Sequence, residues 1–174
     1  EIPATFRLRV DTACPGGRGQ LGAVLNAAIT RYQGILRPTS EQQRAARSNG
    51  LTAVSVCVQT ADETLGPATP ENYALTIPAA GRTDNSSHTT VVGSITATTV
   101  YGAIHAFETL TQLCGLDSSD PHRVGGSPFN YSGVGYIGVA PVLVMDAPRF
   151  RHRGLMIDTG RRYIPCATIK KIID

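Results

Sequence analysis

Two apolar stripes at helical spacing, each set between strand-like segments, constrain this chain more than any other feature. The first stripe is Leu21, Val24, Leu25, Ala28, Ile29 and Tyr32; the second is Val100, Ala103, Ile104, Phe107 and Leu110. Apolar residues recurring three and four positions apart give a helix one face to bury. Around the stripes, Thr5–Val10 and Tyr73–Ile77 alternate apolar and polar residues, and Leu51–Gln59 is β-branched with Val54, Val56 and Val58 on one face. These are strand patterns. Thr89–Ile95 predicts a further strand, and residues 136–146 predict one or two short ones. The order strand, helix, strands, helix, strands predicts an α+β domain, a sheet with two helices on one face.

Gly34, with Pro38 shortly after it, is the expected stop of the first helix. Thr98 or Thr99 is the expected cap of the second, and Gly115 its end. A length of 174 residues allows one domain with its own core and part of another. Hydrophobic residues make up 41 % and charged residues 17 %, which excludes a disordered chain. No apolar run approaches the roughly 20 residues of a membrane-spanning helix. A net charge of +3 gives no reason to expect nucleic acid.

The texture changes after Asp146-Ala147-Pro148. Gly154–Asp158 is a short, nearly continuous apolar run, as in a strand buried on both faces. Pro165 suits the first turn of a helix whose apolar face is Ile169, Ile172 and Ile173. We therefore divide the chain into residues 1–145, one α+β domain, and residues 146–174, the start of another. That last helix has nothing to pack on within the chain, so more polypeptide is expected beyond Asp174.

The chain opens on Glu1 rather than Met, which predicts a processed chain or a fragment. Its cysteines are Cys14, Cys57, Cys114 and Cys166, with no C-x-x-C pair. An even number permits disulfides in an oxidising compartment. Asn85-Ser86-Ser87 and Asn130-Tyr131-Ser132 are N-glycosylation sequons. Together these features point to the secretory pathway, with a lysosomal or extracellular destination. His88, His105, His122 and His152 lack metal-ligand spacing. They read as surface or structural residues, and neither a metal nor a cofactor is expected.

Residues Ala147 to Pro165 read A-P-R-F-R-H-R-G-L-M-I-D-T-G-R-R-Y-I-P. The segment closely resembles a hallmark of the family 20 glycoside hydrolases, the β-N-acetylhexosaminidases. There the pattern is P-R-F-x-H-R-G, three hydrophobic residues, then D-T-S/G-R-H-Y. Gly160 stands here for the commoner Ser, and Arg162 for the commoner His. Thr96 to Leu113 resembles the family's A-x-x-V-x-G-A-L-R-G-L-E-T-F-x-Q-L helix. Glu71-Asn72-Tyr73-Ala74-Leu75 matches its E-x-Y-x-L strand, and Arg31-Tyr32-Gln33-Gly34 its R-Y-x-G. The likeness runs in order over essentially the whole chain.

The resemblance implies that residues 146–174 form the first strand and the start of the first helix of a (β/α)8 barrel. It implies a retaining enzyme that removes terminal β-linked N-acetylglucosamine or N-acetylgalactosamine. The substrate's own acetamido oxygen is the nucleophile there, with an Asp-Glu pair orienting it and protonating the leaving group. No such pair occurs after residue 146; the adjacent acids Asp62 and Glu63 fall in a loop of the preceding domain. The chain alone is thus expected to be inactive, its catalytic residues lying in the remainder of the barrel. Dimerisation through that remainder is also implied.

The resemblance carries one substrate contact to this chain, Arg153 of the H-R-G triplet, as a guanidinium gripping two sugar hydroxyls. Barrel sites lie at the C-terminal ends of strands. Arg153 opens its strand, so its side chain has to reach along the barrel interior. The bland alternative is a surface Arg in the cluster Arg149, Arg151, His152 and Arg153. Asp158, at the far end of the run, reads as an orienting hydrogen-bonder rather than a catalyst. Arg161 and Arg162 read as ion-pairing extensions of the basic cluster, and Glu108 as a helix-surface or inter-domain pairing residue rather than an acid catalyst. The family likeness pairs Cys14 with Cys57. Cys114 and Cys166 either tie the two domains together or remain free thiols. The competing functional classes are a non-catalytic binding or assembly module and a pro-segment-like folding aid.

Overall fold

The computed structural model describes residues 6–17, 22–36, 50–79, 90–114 and 140–173. Strands β1 (Arg7–Val10), β2 (Gly50–Val58), β3 (Tyr73–Ile77), β4 (Thr90–Ala97) and β5 (Val142–Asp146) form one sheet in the order β1-β2-β4-β3-β5. β1 and β2 run parallel, as do β2 and β4, while β3 is antiparallel to both β4 and β5. Helices α1 (Ala23–Ile35) and α2 (Val100–Cys114) join strands, and α3 (Cys166–Ile173) follows the sheet.

Alternation along the strands decides which face is covered. Leu8, Val54, Val56, Tyr73, Leu75, Ile77, Val91 and Ile95 are buried, with Ser94, Thr96 and Thr76 on the open side. Leu25, Ala28 and Tyr32 of α1, and Ala103, Phe107 and Leu110 of α2, close over that inner face. The Tyr32 and Phe107 rings meet at 5.4 Å, tilted by 47°, where the helices touch. The expected sheet with two helices on one face is therefore present.

Gly34 does not stop α1. The helix runs to Ile35, and the Leu36 N–H still bonds the Tyr32 carbonyl at 2.9 Å. Burial of Leu36 in the core rewards the extra residues. Thr99 precedes α2 as expected of a cap, but its hydroxyl is 3.5 Å from the Gly102 N–H and donates instead to the Pro70 carbonyl at 2.5 Å.

The expected strand at Gly154–Asp158 is not formed. The segment has no ladder, and Leu155 and Met156 are 73 % and 87 % exposed. A parallel barrel strand takes its hydrogen bonds from neighbours on both sides, and no described segment supplies them. α3 does begin after Pro165, whose carbonyl accepts from the Thr168 and Ile169 N–H groups at 2.9 and 3.2 Å. None of its residues is buried, so its apolar face meets no partner among the described residues.

Cys14 and Cys57, 43 positions apart in sequence, form a disulfide with Cα atoms 5.5 Å apart. It ties the turn after β1 to the end of β2. Closing a loop of that length removes chain entropy from the unfolded state worth about 4 kcal/mol. We expect Cys14→Ser/Cys57→Ser to lower the unfolding free energy by about 2–4 kcal/mol, read by urea denaturation against the oxidised parent. No loss on the double substitution would mean the bridge is absent in solution.

Candidate functional site

The loop between β2 and β3 is built by short hydrogen bonds to its own turn and to both helices. The Asp62 carboxylate accepts from the Thr64 N–H at 2.8 Å, and the Thr60 hydroxyl from the Asp62 N–H at 3.1 Å. Those Thr64 bonds hold the Asp62 carboxyl below its ordinary value. Glu63 reaches across to α1, where its carboxylate accepts from the Val24 and Leu25 N–H groups at 3.1 and 3.0 Å. Helix N-termini leave such donors unpaired, and a carboxylate also suits the positive end of the dipole. The residue at the cap, Gly22, has no side chain to do this, and a Cβ there would occupy the space of the Glu63 carboxylate. Tyr101 of α2 donates to the Glu63 carbonyl at 2.7 Å. The only adjacent acidic pair thus serves as turn and helix cap.

The end of the same loop is stapled to the start of α2. Besides the Thr99 bond to Pro70, the Thr98 hydroxyl donates to the Asn72 side chain at 3.1 Å. Gly102 is needed there, because a Cβ would stand 2.5 Å from the Asn72 carbonyl oxygen. Between the two staples, Glu71 presents its carboxylate to two basic side chains. Its Oε2 is 2.6 Å from His105 Nε2 of α2 and accepts from Arg153 Nη2 at 2.5 Å. Arg153 Nη1 donates to the Phe150 carbonyl at 2.5 Å. The Glu71 side chain is only 14 % exposed, against 43 % for Arg153. Burial pulls the Glu71 carboxyl upward, but the hydrogen bonds and charges of His105 and Arg153 outweigh it and hold it below the ordinary glutamate value.

Two residues on, Tyr73 makes a second junction. Its hydroxyl is 2.6 Å from the Thr109 hydroxyl of α2 and donates to the Asp146 carboxylate at 3.5 Å. Asp146 in turn accepts from the Ala147 N–H at 2.8 Å. A cavity of about 350 Å³ separates the loop from the segment leaving β5, with Pro70, Glu71, Phe150, Arg151 and Arg153 among its walls.

Asp158 and Arg161 form a separate, exposed unit. The Asp158 carboxylate accepts from the Gly160 N–H at 2.8 Å, the Arg161 N–H at 3.2 Å and Arg161 Nε at 2.6 Å. Bonds from the Arg161 side chain, then from the Arg161 and Gly160 backbone, hold its carboxyl low. Asp158 is therefore an orienting residue for its own turn. The terminal nitrogens of Arg161 make no bond among the described residues, and its side chain is 90 % exposed.

The family resemblance implied a sugar contact for Arg153; among the described residues its guanidinium pairs with Glu71. Sequence reasoning missed Glu71 as a partner, although E-x-Y-x-L sets Glu71 and Tyr73 two apart, on one side of a strand. It missed Glu63 as a cap, for which the side-chain-free Gly22 was the only clue. His105 has the structural role expected of it. Glu108 lies at the helix surface and accepts from the Tyr32 hydroxyl at 3.1 Å. Cys166 is a free, exposed thiol, so of its two expected states the structure holds the unbridged one. Asn85, Asn130, His88, His122 and the Cys114 side chain lie outside the described residues. No helix among those residues is long and apolar enough to cross a membrane.

Residues 17–113 match the family model described as beta-acetyl hexosaminidase like. Beta-hexosaminidase 1 of Arabidopsis thaliana is 31 % identical over 192 residues, covering 99 % of this chain and 32 % of that protein. The Beta-hexosaminidase subunit alpha of Mus musculus is 27 % identical over 97 % of this chain and 28 % of its own length. Subunit B2 of Dictyostelium discoideum is 31 % identical over 86 % and 23 %. The chain thus spans under a third of the length of these relatives.

The Glu71 pairing gives stability a defined acid limb. A carboxyl whose folded value is lowered stabilises the fold fully above its unfolded value, about pH 4.3, and stops doing so as pH falls through the lower folded value. Glu71→Gln should therefore be less stable than the parent at pH 6, with the gap narrowing at pH 3. Urea denaturation at both pH values measures this; a gap that stays constant would contradict it.

Proposed function

The chain belongs to the beta-acetyl hexosaminidase-like family, and from that membership we propose that it is the amino-terminal portion of a retaining β-N-acetylhexosaminidase. Residues 1–145 act as its accessory domain, and residues 146–174 begin its (β/α)8 barrel. The observation that carries this reading is the contrast between a closed sheet and an open continuation. Up to Asp146 the described residues form one sheet with a buried core under two helices, although Leu65, Val92, Leu143 and Met145 are exposed. Beyond it, Phe150, Leu155, Met156, Tyr163 and Ile173 are exposed and unpaired with any core. Burying a large side chain is worth about 1.5–3 kcal/mol, so such a run implies a surface to cover it. Barrel strands and helices contributed by further polypeptide would do so.

In this reading the reaction uses the substrate's acetamido oxygen as nucleophile and an Asp-Glu pair from the rest of the barrel. Arg153 of the H-R-G triplet supplies the sugar contact, its guanidinium held in place by Glu71 and the Phe150 carbonyl. Asp158, bonded to Arg161 through Nε, acts as an orienting hydrogen-bonder rather than a catalyst. The Cys14–Cys57 disulfide supports an oxidising compartment, consistent with the secretory pathway.

The test is release of chromophore from an aryl N-acetyl-β-glucosaminide by the full-length protein, blocked by a thiazoline mimic of the cyclised intermediate. Residues 1–174 alone should release none. A full-length protein that binds the mimic without hydrolysis would favour a non-catalytic module. Arg153→Met should weaken mimic binding about 10- to 100-fold, the scale of losing charged hydrogen bonds. Binding unchanged in Arg153→Met would remove Arg153 from the sugar site.

A further inference from the structure

On the hexosaminidase reading above, we propose that His105 is a positioning residue for the sugar contact: in its charged form it fixes the Glu71 carboxylate on which the Arg153 guanidinium is seated. Sugar affinity then depends on the proton held by His105.

Two donors meet at one oxygen. His105 Nε2 lies 2.6 Å from Glu71 Oε2, and Arg153 Nη2 donates to the same atom at 2.5 Å. Thr98 and Thr99 tie the neighbouring residues Asn72 and Pro70 to α2. The direction of the Glu71 side chain is set by His105, from the middle of the same helix. Arg153 Nη1 donates to the Phe150 carbonyl, so Glu71 and Phe150 together set the plane of the guanidinium. Each terminal nitrogen of an arginine carries two N–H groups. One of each is used here, and the second of each is available to a sugar hydroxyl.

The hold of His105 on Glu71 depends on charge. A neutral imidazole carries its proton on either nitrogen, and in one of the two tautomers Nε2 has no hydrogen to donate. An imidazolium donates from both nitrogens, so the bond to the carboxylate is present in every state and is charge-assisted at both ends. Imidazole changes charge between about pH 5 and 8. Burial raises the Glu71 carboxyl, but the bonds and charges of His105 and Arg153 hold it below the ordinary value, so the seat stays an anion through that range. The helix pattern matched above, A-x-x-V-x-G-A-L-R-G-L-E, has arginine at the position of His105. The cation at this carboxylate is permanent in that pattern and titratable in this chain.

The other charged groups that adjoin the pair have other partners. Glu108, one turn along α2, accepts from Tyr32 of α1 and from Gln112. Glu63 of the loop caps α1. Asp146 at the end of β5 accepts from Tyr73 and from the Ala147 N–H. Arg151 shares the cavity wall with Glu71 and Arg153 and adds positive charge that does not titrate.

The test uses the full-length protein and the thiazoline mimic, with Kd measured at pH 5 and pH 7.5. Variant-to-parent ratios cancel the titration of the mimic and of the catalytic acid. From pH 5 to 7.5 the parent's Kd should rise about 5- to 10-fold more than that of His105→Arg, the scale of one charge-assisted bond. His105→Gln, which keeps a neutral donor, should bind more weakly than the parent at pH 5. In a Glu71→Gln background, His105→Arg should leave the pH dependence unaltered, because the carboxylate it acts on is gone. NMR of isotope-labelled histidine gives a readout independent of sugar. The ring titration of His105 should differ between the parent and Arg153→Met, since the two cations share one oxygen.

Equal pH dependence in the parent and His105→Arg would overturn the proposal. So would a difference that survives Glu71→Gln, coincident ring titrations in the parent and Arg153→Met, or variants that lower the melting temperature without changing the pH dependence. A parent that binds no mimic at either pH overturns the hexosaminidase reading and the sugar role of His105 with it; the ring titrations then report only the pairing of His105, Glu71 and Arg153.

Discussion

The structure depends on one short strand that is paired on both edges. Tyr73–Ile77 bonds β4 on one side and β5 on the other, and without it β5 has no place in the sheet. Its inward residues Tyr73, Leu75 and Ile77 are at most 5 % exposed. They lie under α2, whose Phe107 and Leu110 are fully buried in the same core. Continuing that register backward by one step reaches Glu71, outside the ladder but on the same side. One periodicity of two therefore delivers core residues, a helix-docking hydroxyl and a carboxylate in succession.

That arrangement explains why polar bonds line one edge of α2 while apolar contacts fill its core-facing side. Each polar group there faces another segment: Thr98 and Thr99 face the loop, His105 faces Glu71, and Thr109 faces Tyr73. Every buried side-chain polar atom among the described residues finds a partner. A helix that only covered a sheet would need none of these residues. Their presence along one edge of α2 marks a junction, where the loop into β3 and the chain out of β5 converge. Another acid of the loop, Glu63, completes the frame by capping α1, so both helices are referenced to one loop.

Much of this fold was legible in the sequence because its causes are local and periodic. The stripes from Val24 to Tyr32 and from Val100 to Leu110 name the two helices, and alternation names β1 and β3. The end of α1 was misplaced because a buried Leu36 outweighs a glycine at 34, and burial is not written locally. The strand expected at Gly154–Asp158 is absent for a related reason. A strand is a relation between segments, and its neighbours are not in this stretch of chain. The family likeness located the motif of the last segment, but not the partner of each arginine in it.

Arg153 shows why that last distinction needs coordinates. Its sequence neighbourhood is crowded with positive charge, Arg149, Arg151 and His152, and nothing there says which guanidinium is spoken for. A cation among cations gains most by finding a carboxylate, and the least exposed carboxylate within reach belongs to a residue 82 positions earlier. Arg161, by contrast, has its partner three residues away and satisfies it through Nε alone. The first pairing ties distant segments; the second is local and leaves the outer donors of Arg161 exposed. Two arginines of the same motif thus differ by where their carboxylates sit in the fold.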